Sequence, residues 1–143
     1  MGTSFQVTFD CADPDCLATF WAEALRYKME DPPPGFASWP EFLKAQGLPE
    51  KEWNSRSAIV DPEGTGSRIY FQKVTEPKTV KNRVHLDVNV GGRGTPEEER
   101  KRRVYAEAER LVGFGATKLR AFEEPGEFWI VMTDPEGNEF CLQ

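Results

Sequence analysis

His85 is the only histidine among 143 residues. It lies in Val84-His85-Leu86-Asp87-Val88, two residues before a carboxylate. Imidazole changes charge near neutral pH, and a neighbouring carboxylate can orient it. With Asp10 or Asp87 close by, His85 could therefore move a proton or bind a ligand. The plainer reading is a histidine whose hydrogen bond one of those neighbours satisfies. Glu139 also has two readings: half of an ion pair, or a base whose pKa follows its burial. Strand alternation puts Thr8, Asp10, His85 and Asp87 on one side, opposite Val7, Phe9, Cys11, Val84, Leu86 and Val88. The apolar set must meet helices, which leaves the polar set for a ligand. No P-loop, dinucleotide fingerprint or zinc spacing is present, and no Ser/His/Asp arrangement can be specified.

The elements that must position these residues are marked by turns. Asp-Pro-Glu-Gly occurs at Asp61–Gly64 and again at Asp134–Gly137, about half a chain apart. Asp can bond its own backbone two residues on, Pro fixes φ, and Gly supplies positive φ, so each copy reads as a hairpin turn. Strands follow both turns, Ile69-Tyr70-Phe71-Gln72 and Phe140-Cys141-Leu142-Gln143. Upstream, Val7-Thr8-Phe9-Asp10-Cys11 matches Val84-His85-Leu86-Asp87-Val88, both with the period of a half-buried strand. A helix follows each. Asp13 caps the first, with Pro14 at its first position. Leu17, Phe20, Trp21, Ala24 and Leu25 form its apolar stripe. Thr95-Pro96-Glu97-Glu98 reads as a capping box for the second. Val104, Ala108, Leu111 and Val112 are its buried stripe, and Glu97–Lys101, Glu98–Arg102 and Glu99–Arg103 are pairs one turn apart. The chain thus reads as one unit used twice.

The first half carries an insertion, about residues 31–57, that opens on Pro32-Pro33-Pro34-Gly35 and holds Trp39 and Trp53. It is either a loop stapled down by its aromatics or a wall over a ligand. Residues 75–83 link the halves. Cys11 and Cys141 read as small buried hydrophobes, Trp21 as core, and Trp129 as core or dimer surface. Lys78 and Lys81 read as solvated, with contact to an anionic ligand as the alternative. The net charge of −6 argues against nucleic acid or an anionic membrane as partner. No signal peptide or long apolar run stands out, so a cytoplasmic location is expected.

With the turns and strand-helix order in place, the chain resembles the vicinal-oxygen-chelate superfamily, in particular its small bacterial glyoxalase-like branch. The residues that carry the resemblance are Phe9-Asp10-Cys11-Ala12-Asp13-Pro14, Phe20-Trp21, Lys81 to Asp87, Gly113-Phe114-Gly115-Ala116 and Asp134 to Leu142. It implies an α+β fold of two βαβββ modules, a curved mixed sheet forming a cup with helices outside. Module one would span about 4–74 and module two about 82–143, in a single domain. It also implies a small-molecule ligand and a homodimer.

In metal-using members of the superfamily, four ligands drawn from His, Glu and Gln come from equivalent strands of the two modules and leave open positions on a divalent ion. In this sequence His85 and Glu139 match. The counterpart of His85 is Thr8. Aligning the last strands on their shared Gln makes Arg68 the counterpart of Glu139, and a slip would substitute Tyr70 or Gln72. Guanidinium has no lone pair to offer. The expectation is therefore a cup without the usual metal, in which Arg68 faces Glu139 and stands in for the ion. Three functions follow: a small-molecule binder with Thr8, Asp10, Arg68, Asp87, Trp39 and Trp53 at its ligand, a divalent-metal enzyme using His85 and Glu139, or a metal-free enzyme in which His85 transfers a proton.

Overall fold

The computed structural model describes all 143 residues, which divide into two compact units, Met1–Pro77 and Lys78–Gln143. The first contains β1 (Val7–Cys11), α1 (Pro14–Leu25), β2 (Lys28–Met29), α2 (Trp39–Ala45), a 3-10 helix (Glu50–Ser55), β3 (Arg56–Val60) and β4 (Ile69–Lys73). The second contains β5 (Asp87–Val88), α3 (Glu97–Val112), β6 (Thr117–Glu124), β7 (Glu127–Thr133) and β8 (Glu139–Leu142). With α2 and the 3-10 helix set aside, both units read βαβββ. The sheets are β1-β4-β3-β2 and β5-β8-β7-β6. In each, the first and last strands run parallel and the other pairs antiparallel. The expected α+β class is observed.

Local chemistry explains α1. The Asp13 side chain accepts from the Cys16 N–H at 3.2 Å, and Pro14 follows at the first helical position. Leu17, Phe20, Trp21 and Ala24 are buried. Phe9 of β1 lies 5.2 Å from the Trp21 ring and 5.4 Å from Phe71 of β4. Phe9 thus faces the helix and Asp10 the other way, as the alternation requires.

The start of α3 differs from expectation. Pro96 has φ −53° and ψ 143°, and no side chain caps the helix. That extended backbone keeps Thr95 outside the first turn, so no capping box forms. Glu97–Lys101 and Glu99–Arg103 pair as expected, whereas Arg102 turns to Glu99, one residue closer than Glu98. Val104, Ala108 and Leu111 are buried, but Val112 is exposed at the last position.

Strand β5 is shorter than its sequence suggested. Val84 is 80% exposed, so no burial holds residues 84–86 in the ladder, although the Leu86 carbonyl still accepts from Cys141 N–H. In the insertion, α2 and the 3-10 helix bury no residue. Trp39 donates to the Glu30 carbonyl at 2.7 Å and Trp53 to the Leu48 carbonyl at 2.9 Å. Asn54 anchors the 3-10 helix to the first turn of α1 through Asp13 and Asp15.

β6 is one of the two edge strands of its sheet and almost wholly exposed. It carries Lys118, Arg120, Glu123 and Glu124, and its register breaks between Lys118 and Arg120. No helix in the chain is long and apolar enough to cross a membrane.

Candidate functional site

Both Asp-Pro-Glu-Gly segments form the same turn. The Glu63 N–H donates to Asp61 and the Glu136 N–H to Asp134, each at 2.9 Å. Gly64 and Gly137 have φ of 75° and 86°, the left-handed region that glycine tolerates. These turns deliver β4 and β8 to β1 and β5, and so set which side chains meet.

The ladders correct the sequence alignment. Val74 N–H donates to the Cys11 carbonyl at 2.9 Å, and Gln143 N–H to the Val88 carbonyl at 3.0 Å. Aligning Cys11 with Val88, which keeps Thr8 with His85, therefore aligns Tyr70 with Glu139. Arg68 lies two residues short of that position. The loop from β3 to β4 is longer than the loop from β7 to β8, so alignment on the shared Gln slips by two.

Arg68 and Glu139 each find partners within their own unit. Arg68 holds Glu30 through two hydrogen bonds, at 2.7 and 2.9 Å, and reaches Gln6 at 3.2 Å. Its guanidinium hydrogen bonds hold the Glu30 carboxyl below the usual carboxylate range. Glu139 accepts from the Asn82 N–H at 2.8 Å and from Lys78 Nζ at 3.2 Å. Burial alone would raise its pKa, but these donors outweigh it and the carboxyl is held low. Lys78, expected to be solvated, thus clamps Glu139 and also donates to the Val80 carbonyl. In the first unit, Asp10 accepts from Gln72 at 3.1 Å, and Thr8 is exposed beside it on β1.

The second unit contains a cavity of about 630 Å³. His85, Asp87 and Cys141 form part of its lining, with Asn89 and Gln143 beside them and Trp129 as an aromatic wall. His85 Nε2 lies 3.3 Å from Asp87 Oδ1, which supplies the neighbour the sequence anticipated. Asp87 pairs across the ladder with Cys141. Burial chiefly, then the charge of Asp87 and its hydrogen bond, push the Cys141 thiol up, and Lys81 pulls the other way. The ligand atoms of His85, Asp87 and Cys141 lie within 4.8 Å of one another. Gln143 donates to Asn89 at 2.9 Å. Arg100 lines the cavity too; it donates to the Gly126 carbonyl, and its Nε is buried without a partner.

Cys141 is buried as expected, and both it and Trp129 also line the cavity. Along β7, Phe128, Ile130 and Met132 are buried, which leaves Trp129 on the opposite face, stacked on Phe122 at 5.3 Å. That alternation was readable in the sequence. Arg100, Asn89 and Gln143 carried no such signal. Trp39 and Trp53 spend their indole N–H groups on backbone carbonyls of the first unit, and the lining of this cavity comes wholly from residues 85–143.

Residues 6–143 match the glyoxalase-like domain family, and the chain belongs to it. The vicinal-oxygen-chelate superfamily is also where its fold is found. A glyoxalase-related enzyme from Fulvimarina pelagi superposes with a TM-score of 0.60 at 17% identity, over 99% of this chain and 87% of that one. A glyoxalase/bleomycin resistance protein/dioxygenase family enzyme from Burkholderia phytofirmans gives 0.59 at 15%, over 96% and 94%. A variant of the fosfomycin resistance protein FosX from Listeria monocytogenes, complexed with Mn(II) and a dihydroxypropylphosphonic acid, gives 0.62 at 14%, over 100% and 90%. No curated protein matches the sequence.

The usual metal can be tested against the donors. At the four equivalent positions stand Thr8, Tyr70, His85 and Glu139, and both a backbone N–H and an ammonium already bond the Glu139 carboxylate. A hydroxyl and a phenol in place of two strong ligands do not fit the divalent ion of metal-using relatives.

Proposed function

We propose that this chain is a small-molecule-binding protein of the vicinal-oxygen-chelate superfamily that works without the superfamily's usual four-ligand metal. The cavity of the second unit carries the reading. Its volume of about 630 Å³ falls in the range of small-molecule sites, and it joins the aromatic ring of Trp129 to a few polar groups. Trp129 offers a face for a planar ligand. The amides of Asn89 and Gln143 and the unpartnered Arg100 Nε offer polar anchoring, and a buried donor without a partner favours a ligand that carries an acceptor. Val112, Phe114 and Leu119 are exposed in the same unit and supply apolar surface for a second copy, so the binder is read as a homodimer.

The His85–Asp87 contact supports a second reading, metal-free proton transfer on the bound molecule. One experiment separates the two. Planar aromatic compounds bearing acceptors are screened by thermal shift in the presence of EDTA, and hits are titrated against the native protein and Trp129→Ala. The binding reading expects a saturable hit weakened roughly tenfold or more by Trp129→Ala, since a lost aromatic platform costs about 1–3 kcal/mol. Steady turnover of the hit, abolished in His85→Gln, replaces binding with catalysis. Hits that bind Trp129→Ala equally well remove the cavity from the argument.

A further inference from the structure

His85, Asp87 and Cys141 bring three different ligand chemistries to one spot. Imidazole nitrogen, carboxylate oxygen and cysteine sulfur have their ligand atoms within 4.8 Å of one another. The fold sets this directly. The β5–β8 ladder places Asp87 opposite Cys141, and His85 stands two residues before Asp87. Ligand atoms held by a tetrahedral ion at about 2.0–2.3 Å stand roughly 3.3–3.7 Å apart. His85 Nε2 and Asp87 Oδ1 are already at 3.3 Å. Both residues are exposed while Cys141 is buried, so two side chains with space around them flank a buried sulfur. All three line the same cavity, which leaves room for water as a fourth ligand.

We propose that His85, Asp87 and Cys141 form an open, three-ligand Zn²⁺ site on the wall of the second unit's cavity. The mixed nitrogen, oxygen and sulfur set selects a borderline-soft ion over Mg²⁺ or Ca²⁺. Three protein ligands with one position open is the arrangement of zinc sites that polarise or activate a fourth ligand. On binding, the Cys141 thiol gives its proton to solvent and its sulfur bonds the ion, with no change in oxidation state. This set shares only His85 with the superfamily's usual positions; it omits Glu139 and draws on Asp87 and Cys141 instead. It is also independent of the small-molecule reading, which is tested with metal chelated.

The experiment is a Co²⁺ titration of the chelator-stripped, reduced protein, followed by Zn²⁺ competition. The expected result is one Co²⁺ per chain with a near-ultraviolet thiolate-to-cobalt charge-transfer band that Zn²⁺ abolishes. The band should disappear in Cys141→Ser and persist in Cys16→Ser. Asp87→Asn and His85→Ala should each weaken Zn²⁺ binding by at least roughly 100-fold, the upper end of the cost of losing even an outer partner. Glu139→Gln should retain the band and the affinity. Asp87 and His85 are exposed, so those variants report even if Cys141→Ser fails to fold. The absence of a band in the native protein overturns the proposal. So does binding that survives in Asp87→Asn and is lost in Glu139→Gln, which would return the ion to the superfamily's usual positions.

Discussion

Arg68 shows how one residue's role depends on which carboxylate it meets. Its two hydrogen bonds to Glu30 make it a structural clamp within the first unit. Both side chains are about a third exposed, so solvent screens the pair and its worth is about 1 kcal/mol. Because the Glu30 carboxyl is held low in the folded chain, this stability is present above the unfolded carboxylate pKa and is lost as pH falls through the lowered folded value. Arg68→Gln should therefore cost about 1 kcal/mol in urea unfolding at pH 7, and the deficit should shrink in acid, below about pH 4.5. A deficit unchanged at low pH would assign the loss to packing over the Tyr70 ring instead. Alignment of the two halves sets Arg68 against Glu139 and misses Glu30, which lies far upstream on a different connection.

At the scale of elements, the turns were the most legible feature because their chemistry is local. Asp134 is 2% exposed and accepts from the N–H groups of Glu136 and Asn138 and from the Asn138 side chain. Asp134→Ala leaves those part-buried donors unmet and should cost about 1–3 kcal/mol, read as a lower urea midpoint with an unchanged slope. Asp61→Ala should cost less, because water can replace its partners. Equal losses at the two turns would contradict the burial argument. The first helix was equally legible from Asp13, Pro14 and its apolar stripe. What escaped was register. The two-residue slip that made Arg68 the counterpart of Glu139 arose in a hairpin loop whose length no local rule sets. Once Tyr70 takes that position, the expected Arg68–Glu139 pair has no basis.

For the whole molecule, family membership and fold are secure, while the ligand lies with the side chains of the second unit, because one fold hosts many functions. The homodimer is checked by light scattering in solution. A mass twice the 16.2 kDa of one chain is expected, and the mass of a single chain would withdraw the proposal. The edge strand β6 bears on a different property, colloidal behaviour. An incoming flat strand would lose its hydrogen-bond spacing at the break between Lys118 and Arg120 and would then have to bury charged side chains. Such an edge is a poor template for open-ended fibril growth. The bar to edge-to-edge strand addition thus sits in the strand whose neighbour, β7, carries the tryptophan of the cavity.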